Sequence, residues 1–298
     1  MPRGQGLTNS STSPVRAVRE QGSVNGSTER VALGLIAEGL VRPQVTAIIP
    51  TLNEEQNIGW VLERLPRLVD EVVIIDGRST DRTIEVALTV RPDARVVLER
   101  RPGKGAALRA GFRAARGEFI VMLDADGSMD PGEIVRFVEA LRDGWEFVKG
   151  SRFMADGGTV DMTLIRRTGN AGLLQLVNRL YGRRFTDLCY GFCAFRRTAL
   201  AALELTSDGF EIETEIVVRA CKAELRIIEV PSFESARRYG VSNLSAWRDG
   251  RRVLRTLLRE RVSHAEIPAH ENGNNGAPWA AAPDEALAAG TGGDEARA

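Results

Sequence analysis

The 298-residue chain has few of the residues that commonly hold metals or cross-links. It has three cysteines, Cys189, Cys193 and Cys221, and two histidines, both near the C-terminal end. Three scattered cysteines are too few for a disulfide framework, and with no histidine nearby they do not form a zinc-site pattern. The sequence therefore predicts no disulfides and no structural zinc. This cysteine usage is typical of the reducing cytoplasm, which we take as the predicted location.

Long apolar runs and net charge are also missing. No stretch approaches the roughly 20 apolar residues that cross a bilayer, and no apolar core follows the N-terminus to indicate a signal peptide. The 40 basic residues balance 40 acidic ones, so the overall charge gives no reason to expect nucleic acid as a partner. The hydrophobic fraction of 43% is ample for a folded core.

Composition divides the chain into three parts. Residues 1–43 begin with a polar stretch that has little to bury, so we predict a disordered or partly helical extension. Residues 263–298 are rich in Ala, Gly, Asn and acidic residues, which predicts a disordered acidic tail. The folded domain is expected over residues 44–262.

Strand and helix patterns alternate inside that domain. Near-continuous apolar strands separated by helices indicate an α/β fold with an open, mainly parallel sheet flanked by helices. Ligands bind such sheets outside the carboxyl ends of the strands. The predicted strands are 45–50, 71–76, 95–99, 118–126 and 146–151, and the predicted helices are 54–68, 79–90, 105–117 and 131–143.

Two carboxylates close the fourth predicted strand, in the stretch FIVMLDADGSMDP. If the strand continues through Asp124 and Asp126, both side chains point to the same face. Like charges this close are unfavourable unless a cation lies between them, and magnesium is usually held by one or two carboxylates plus substrate phosphates. A solvated turn is the plainer alternative, because such short motifs are common.

Three other segments reach the same edge of the predicted sheet. Asn53 and Glu54 follow the first strand, where a helix cap would also explain Asn53. Asp76 closes the second strand. Lys104 lies between two glycines at a helix N-terminus, where the helix dipole favours anions, although a solvated surface lysine is the alternative. The glycine spacing matches neither a dinucleotide fingerprint nor a Walker loop.

Together these motifs resemble the GT-A glycosyltransferases of family two. The motifs are P-x-x-N-E after strand one, D-x-x-S-T-D after strand two, G-K-G before the third helix and D-x-D-G after strand four. The later segments GSRF, GFCAFRR, GFEIETEI and EVPSFESARRYGVSNL are similar to the dolichyl-phosphate mannosyltransferase and polyprenyl-phosphate glycosyltransferase branch. The resemblance implies a GT-A, Rossmann-like nucleotide-sugar-binding fold, covering about residues 45–243.

The resemblance also implies roles for individual residues. Two departures from the family pattern are Leu52, where a tyrosine is common, and Asn243, where a lysine is common. The implied catalytic residues are Asp124, Asp126, Arg152 and Arg237; the donor site is Pro50, Leu52, Glu54, Ile74, Asp76, Lys104, Asp124, Ala125 and Asp126; the acceptor phosphate site is Arg152, Arg237 and Asn243; and Mg²⁺ or Mn²⁺ would lie at Asp124, Asp126 and Ser128.

The expected reaction is inverting transfer of mannose or glucose from a nucleoside-diphosphate sugar to a polyprenyl phosphate. A hydroxyl acceptor would need a base, for which Glu213, Glu215 and Asp187 are candidates, whereas a phosphate acceptor is already an anionic nucleophile. Two alternatives stay open: a soluble or secondary-metabolite hydroxyl acceptor, and a non-catalytic nucleotide-binding homologue.

A basic segment near the C-terminus suggests a membrane contact. Residues 235–262 carry eight arginines against Asp249 and Glu260, a balance of +6, whereas residues 263–298 carry six acidic residues against Arg297, a balance of −5. A basic amphipathic helix of this kind can lie on an anionic membrane, so we expect a peripheral position at the inner face of the membrane. A helix packed on the core with a solvated face is the alternative.

Overall fold

A computed structural model of the chain describes residues 44–160, 162–240 and 246–262. The predicted extension 1–43 and the predicted tail 263–298 lie outside these residues. In the described part the elements are β1 (Val45–Thr51), α1 (Ile58–Glu63), β2 (Glu71–Asp76), α2 (Thr83–Val90), β3 (Arg95–Leu98), α3 (Lys104–Ala114), β4 (Phe119–Met122), a 3₁₀ turn (Pro131–Glu133), α4 (Ile134–Arg142), β5 (Phe147–Ser151), β6 (Gly158–Thr159), α5 (Leu164–Tyr181), β7 (Cys193–Arg196), α6 (Arg197–Ala201), α7 (Ile212–Lys222), β8 (Ile227–Pro231), β9 (Phe233–Glu234) and α8 (Ala246–Val262).

Seven of these strands form one mixed, mainly parallel sheet in the order β3-β2-β1-β4-β7-β5-β8. Strand β7 is antiparallel to both of its neighbours, β4 and β5, and the other pairs are parallel. Strands β6 and β9 form a separate two-stranded parallel pair. The prediction of an α/β, GT-A type sheet flanked by helices is confirmed.

The apolar strands are continuous because both faces of the sheet are covered. Ile48, Val73 and Ile75 pack into the hydrophobic cluster on one face. Ile49 and Ile74 belong to the cluster on the other face. Neighbouring residues of a strand point to opposite faces, so a strand buried on both sides needs apolar residues at every position.

Several predicted elements are shorter in the structure; the predicted helix 79–90, for example, begins only at Thr83. The predicted strand 118–126 ends at Met122, and the chain turns before Asp126, so strand alternation does not explain how Asp124 and Asp126 are oriented. The predicted helix 54–68 is helical only over Ile58–Glu63. No helix in the described ranges is long and apolar enough to cross a bilayer.

Candidate functional site

The parallel strands β2, β1 and β4 are neighbours, so their carboxyl ends bring separate loops to one edge of the sheet. Thr51 and Asp76 are register partners at the ends of β1 and β2. Asp124 follows β4, and Lys104 begins α3. The structure therefore brings these predicted residues to one edge, together with segments that come much later in the chain.

Lys104 joins Asp124 to a carboxylate from a distant helix. Its Nζ lies 2.6 Å from Asp124 Oδ1 and 2.8 Å from Glu213 Oε1, in the first turn of α7. The Lys104 and Glu213 side chains are mostly buried, whereas Asp124 keeps 29% of its side chain exposed. Burial alone would lower the pKa of Lys104, but the charges of Asp124 and Glu213 outweigh it and raise that pKa. Lys104 therefore stays protonated at neutral pH.

Asp126 is oriented by the turn that follows it and faces an arginine. Its Oδ1 accepts hydrogen bonds from the backbone N–H of Ser128, at 3.0 Å, and from the Ser128 hydroxyl, at 2.7 Å. Arg237 Nε lies 3.5 Å from Asp126 Oδ2, and another guanidinium nitrogen of Arg237 lies 2.5 Å from Glu54 Oε1. Asn57 Nδ2 donates to the other Glu54 oxygen at 2.6 Å. Ser128 thus orients Asp126, and Arg237 links it to Glu54.

The segment 235–240 lies across this edge and is fastened to it by backbone contacts. The backbone N–H of Arg238 donates to the Asp126 carbonyl at 3.3 Å, and the Tyr239 carbonyl accepts from Asn57 at 3.2 Å. The Arg238 guanidinium stacks on Trp60, 4.7 Å from the ring centroid. Gly127 has a φ of 73°, and a Cβ there would lie 2.7 Å from Arg238 Cδ, so this position requires glycine.

Negative charge exceeds positive charge at this edge. Four carboxylates, Glu54, Asp124, Asp126 and Glu213, lie beside three cations: Lys104 and Arg237, which form ion pairs with them, and Arg238, which stacks on Trp60. Burial raises the pKa of Asp124; Lys104 opposes this rise, and the charges of Asp126 and Glu213 add to it. Burial also raises the pKa of Glu54, against the opposing effects of Asn57 and Arg237. The cluster is therefore short of positive charge.

A divalent cation fits this charge deficit. Among the described residues, no three His, Cys, Asp or Glu side chains converge as a complete metal cage. Magnesium commonly binds through only one or two carboxylates and takes its other ligands from water and substrate phosphates. Asp124 and Asp126 would hold such an ion. The Ser128 hydroxyl, which donates to Asp126, would orient that carboxylate toward the ion.

The predicted donor residues divide into exposed and buried positions. Leu52 follows β1 and is 46% exposed. Pro50 is the next-to-last residue of β1, and Asp76, which ends β2, is buried. Asp76 Oδ1 accepts the backbone N–H of Ser79 at 3.0 Å, which fixes the carboxylate at the edge. Ile74, in contrast, is fully buried in the core. We correct its assignment, because a side chain without exposed surface cannot contact a donor.

Ala125 and the predicted phosphate-binding residues also differ from the expectation in their surroundings. Ala125 is 3% exposed and packs into the core, so only its backbone can reach a ligand. Arg152 makes a two-point ion pair with Asp187, at 2.7 and 3.0 Å, and a 3.0 Å contact with Glu234. Its guanidinium is therefore already engaged. Asn243 lies outside the described residues.

The glycines of G-K-G serve packing between segments. A Cβ on Gly105 would lie 2.8 Å from the Asp208 carbonyl carbon, and Gly103 has a φ of 113°. The backbone N–H of Ala106 donates to the Asp208 carbonyl at 3.1 Å. The loop before α7 thus packs directly on the start of α3, which is how Glu213 reaches Lys104. The expected anion site at this helix N-terminus is partly occupied by that loop.

Sequence reasoning left several residues out of the site. The sequence predicts Glu213 only as a base, and it predicts no role for Asn57, Trp60 and Arg238. Lys104 and Glu213 are 109 residues apart, so no local pattern could pair them. The later segments GFEIETEI and EVPSFESARRYGVSNL do contain Glu213, in the first turn of α7, and Arg238.

Comparisons with known proteins identify the family and agree with this fold. The family model described as "Glycosyl transferase family 2" matches residues 46–203. Glycosyltransferase AglJ of Haloferax volcanii is 34% identical over 218 residues, which are 72% of this chain and 71% of that protein. A dolichyl-phosphate hexose transferase of the same organism is 30% identical over 73% of this chain and 96% of its own length. A dolichol-phosphate mannosyltransferase of Pyrococcus furiosus is 30% identical over 67% of this chain, but only 59% of that protein is matched.

Solved structures support the fold. Glucosyl-3-phosphoglycerate synthase from Mycobacterium tuberculosis, in complex with Mn²⁺, UDP and glucosyl-3-phosphoglycerate, aligns with a TM-score of 0.59 at 23% identity. The alignment covers 82% of this chain and 86% of that one. The fold, the site and the relatives define the class of protein as a glycosyltransferase that transfers a hexose. The chain belongs to glycosyl transferase family 2.

Proposed function

We propose that this hexosyltransferase moves mannose or glucose from a nucleoside-diphosphate sugar to a polyprenyl phosphate, with Mg²⁺ or Mn²⁺ as cofactor. The observation that carries the donor half is the excess of carboxylates around Asp124 and Asp126 at the carboxyl edge of the sheet. Relatives named as dolichyl-phosphate hexose and mannosyl transferases favour the acceptor half. The catalytic domain of the proposal is residues 44–262.

The donor would lie along the ends of β1, β2 and β4. Pro50, Leu52 and Asp76 would face the nucleoside, and Glu54 would contribute through its contact with Arg237. A cation bound to the diphosphate would neutralise the charge that the leaving group gains. Lys104 and Arg237 supply fixed positive charge next to the same carboxylates, where such charge stabilises a departing diphosphate.

The bond changes are those of a direct displacement. An oxygen of the acceptor phosphate attacks the anomeric carbon while the bond from that carbon to the donor diphosphate oxygen breaks. One attack from the opposite side inverts the anomeric centre, as the family resemblance implies. A phosphate with a second pKa of roughly 6 attacks without first losing a proton to the protein.

The carboxylates considered as bases favour an acceptor that needs none. Glu215 is fully buried and accepts hydrogen bonds from the Thr206 and Ser207 backbone N–H groups. Asp187 is fully buried in its ion pair with Arg152. Glu213 does reach the site, but it is paired with Lys104. Two of the three candidates are therefore structural, and the third is bound to a cation.

Exposed apolar side chains around the junction of β6 and α5 favour an acceptor held at a membrane. Val160, Leu164 and Ile165 are 65%, 75% and 74% exposed, and they lie where the β6 strand leads into α5. Val160 is bonded to the backbone of Glu234, whose carboxylate contacts Arg152. This apolar patch thus lies close to the predicted acceptor-phosphate residue. We propose that the enzyme works in the cytoplasm at the inner face of a membrane.

The test is a transfer assay with purified protein. GDP-mannose and UDP-glucose would each be offered with a polyprenyl phosphate in detergent, and separately with soluble hydroxyl acceptors, in Mn²⁺, Mg²⁺ or EDTA. We expect a polyprenyl glycosyl phosphate from one of the two donors, and we expect EDTA to abolish its formation. Transfer only to a soluble hydroxyl acceptor would replace the polyprenyl phosphate and bring Glu213 forward as the base.

A further inference from the structure

Lys104 already occupies one carboxylate oxygen of Asp124, a residue assigned to the metal. Its Nζ lies 2.6 Å from Asp124 Oδ1, which places a full positive charge on a carboxylate assigned to the metal. A lysine and a divalent ion compete for the same oxygen, since their like charges repel at short distance. For Asp124 to bind a metal through that oxygen, the ammonium group must move away from it.

Glu213 is a second carboxylate partner of Lys104, and the two side chains are almost equally buried. Its Oε1 lies 2.8 Å from Nζ, and both side chains are nearly buried, at 12% and 11% exposed. A buried ammonium without a carboxylate is costly, because the charge has lost its water and gained no partner in exchange. The lysine can therefore leave Asp124 at low cost only while Glu213 keeps it paired.

The surrounding backbone holds the Lys104–Glu213 ion pair in place more tightly than it holds the Lys104–Asp124 ion pair. A Cβ on Gly191 would lie 2.8 Å from both Nζ and Glu213 Oε1, so the backbone at Gly191 closes one side of the pair. Glu213 lies in the first turn of α7, and the loop before that helix packs on Gly103 and Gly105. Asp124, in contrast, lies past the end of β4 and is the most exposed member of the three.

We propose that Glu213 is a positioning residue that holds Lys104 aside when a metal and the donor diphosphate occupy Asp124 and Asp126. Lys104 would exchange its contact with Asp124 for a diphosphate oxygen and keep its contact with Glu213. Glu213 therefore lowers the cost of metal binding without touching the metal or the sugar. This inference rests on the proposed metal-dependent function.

The test is Glu213→Gln, read by metal binding as well as by activity. Thermal shift with UDP or GDP, and the electron paramagnetic resonance signal of Mn²⁺, would give the half-saturating Mn²⁺ concentration. We expect it to rise about tenfold, because Lys104 then stays on Asp124, and we expect turnover at saturating Mn²⁺ to stay within about threefold of the wild type. Glu211→Gln is the matched control, since Glu211 precedes α7 and its contact is to the Gly209 backbone N–H.

A double variant keeps the idea testable if the single change disturbs folding. In a Lys104→Met background the competing cation is gone, so Glu213→Gln should leave the half-saturating Mn²⁺ concentration unchanged. An unaltered Mn²⁺ requirement in Glu213→Gln would overturn the inference, and turnover lost at every Mn²⁺ concentration would indicate a base instead. If the wild type itself shows no Mn²⁺-dependent binding of either nucleotide, the proposed function fails and the inference fails with it.

Discussion

Asp124 and Asp126 are one residue apart, yet they have different partners. Asp124 pairs with Lys104, whereas Asp126 is held by Ser128 and faces Arg237. Each carboxylate is thus turned into the site by a separate element. A change at one of them removes charge from the cluster and leaves the packing of the sheet intact, because both residues lie beyond the last residue of β4.

Asp126→Asn should therefore lower kcat by at least about 100-fold with little effect on the melting temperature. The reason is that an amide is a poor ligand for a hard divalent cation, and the loss of one electrostatic contact to a transition state costs this much. The control is Asp130→Asn, which changes an exposed carboxylate four residues on that only caps the 3₁₀ turn. Full turnover of Asp126→Asn at saturating donor would contradict the metal assignment.

Asp187 stabilises the fold through its buried ion pair with Arg152. Burial would raise its pKa, but Lys149 and Arg152 outweigh burial and lower that pKa below 3.8. A carboxyl group with a lowered pKa stabilises the fold above its unfolded pKa, and this contribution disappears as the pH falls through the folded pKa.

Asp187→Asn should reduce the free energy of unfolding by about 3 kcal/mol at pH 7, since it leaves Arg152 buried without its main partner. The difference from wild type should shrink as the pH falls below 3.8, as measured by urea denaturation across that range. Asp93→Asn is the control: Asp93 is an exposed carboxylate paired with the partly buried Arg91, and its loss should change stability by less than about 0.5 kcal/mol. A loss independent of pH would show that the ion pair is not its cause.

At the scale of elements, the start of α3 shows what a local pattern can and cannot predict. The G-K-G motif correctly predicted a helix N-terminus, which lies at the carboxyl edge of the sheet. Its glycines are explained by the loop around Asp208, which comes about a hundred residues later and is invisible to local reasoning. The antiparallel strand β7 was missed for the same reason, because its place between β4 and β5 depends on long-range pairing.

Helix periodicity and strand burial predicted the parallel half of the sheet well. β1 and β2 begin where expected because their apolar runs are continuous and bounded by polar residues. The carboxylates after β4 were assigned to the site for a partly wrong reason, since a turn orients Asp126 and strand alternation does not. The strand-end pattern thus brought both carboxylates to the carboxyl edge of the sheet, although the local geometry predicted for them was wrong.

Gly105→Ala tests the contact between the two elements. A Cβ there would lie 2.8 Å from the Asp208 carbonyl carbon, so the loop must shift, at a cost of about 1–3 kcal/mol by urea denaturation. Gly172→Ala, in α5 with nothing within 4 Å, should instead stabilise the protein by about 0.5–1 kcal/mol. Equal effects of the two substitutions would mean that the loop before α7 yields easily.

At the scale of the whole molecule, the last helix, α8, has features of both structures predicted for it: a helix packed on the core and a helix that lies on a membrane surface. Val253 and Leu257 are buried in the core, so α8 packs on the domain. Leu254 and Leu258 are 42% and 55% exposed on another side. The exposed arginines of that helix are Arg248, Arg251, Arg252, Arg255, Arg259 and Arg261. A packed helix with an exposed basic and apolar side has the composition of a membrane-surface contact.

Replacing Arg251, Arg252 and Arg255 with Gln should therefore weaken binding to anionic vesicles about 100-fold at low salt. Each arginine near such a surface contributes on the order of 1 kcal/mol, and the effect falls off within a Debye length, so the loss should be smaller at high salt. Liposome sedimentation measures the binding, and circular dichroism checks the fold. The control replaces three exposed arginines elsewhere, Arg67, Arg116 and Arg142, with Gln, which removes the same charge. If both triple variants lose binding equally, total charge governs the contact and α8 does not. If the wild type does not bind anionic vesicles, α8 is only a helix packed on the core. A soluble acceptor then becomes the better assignment.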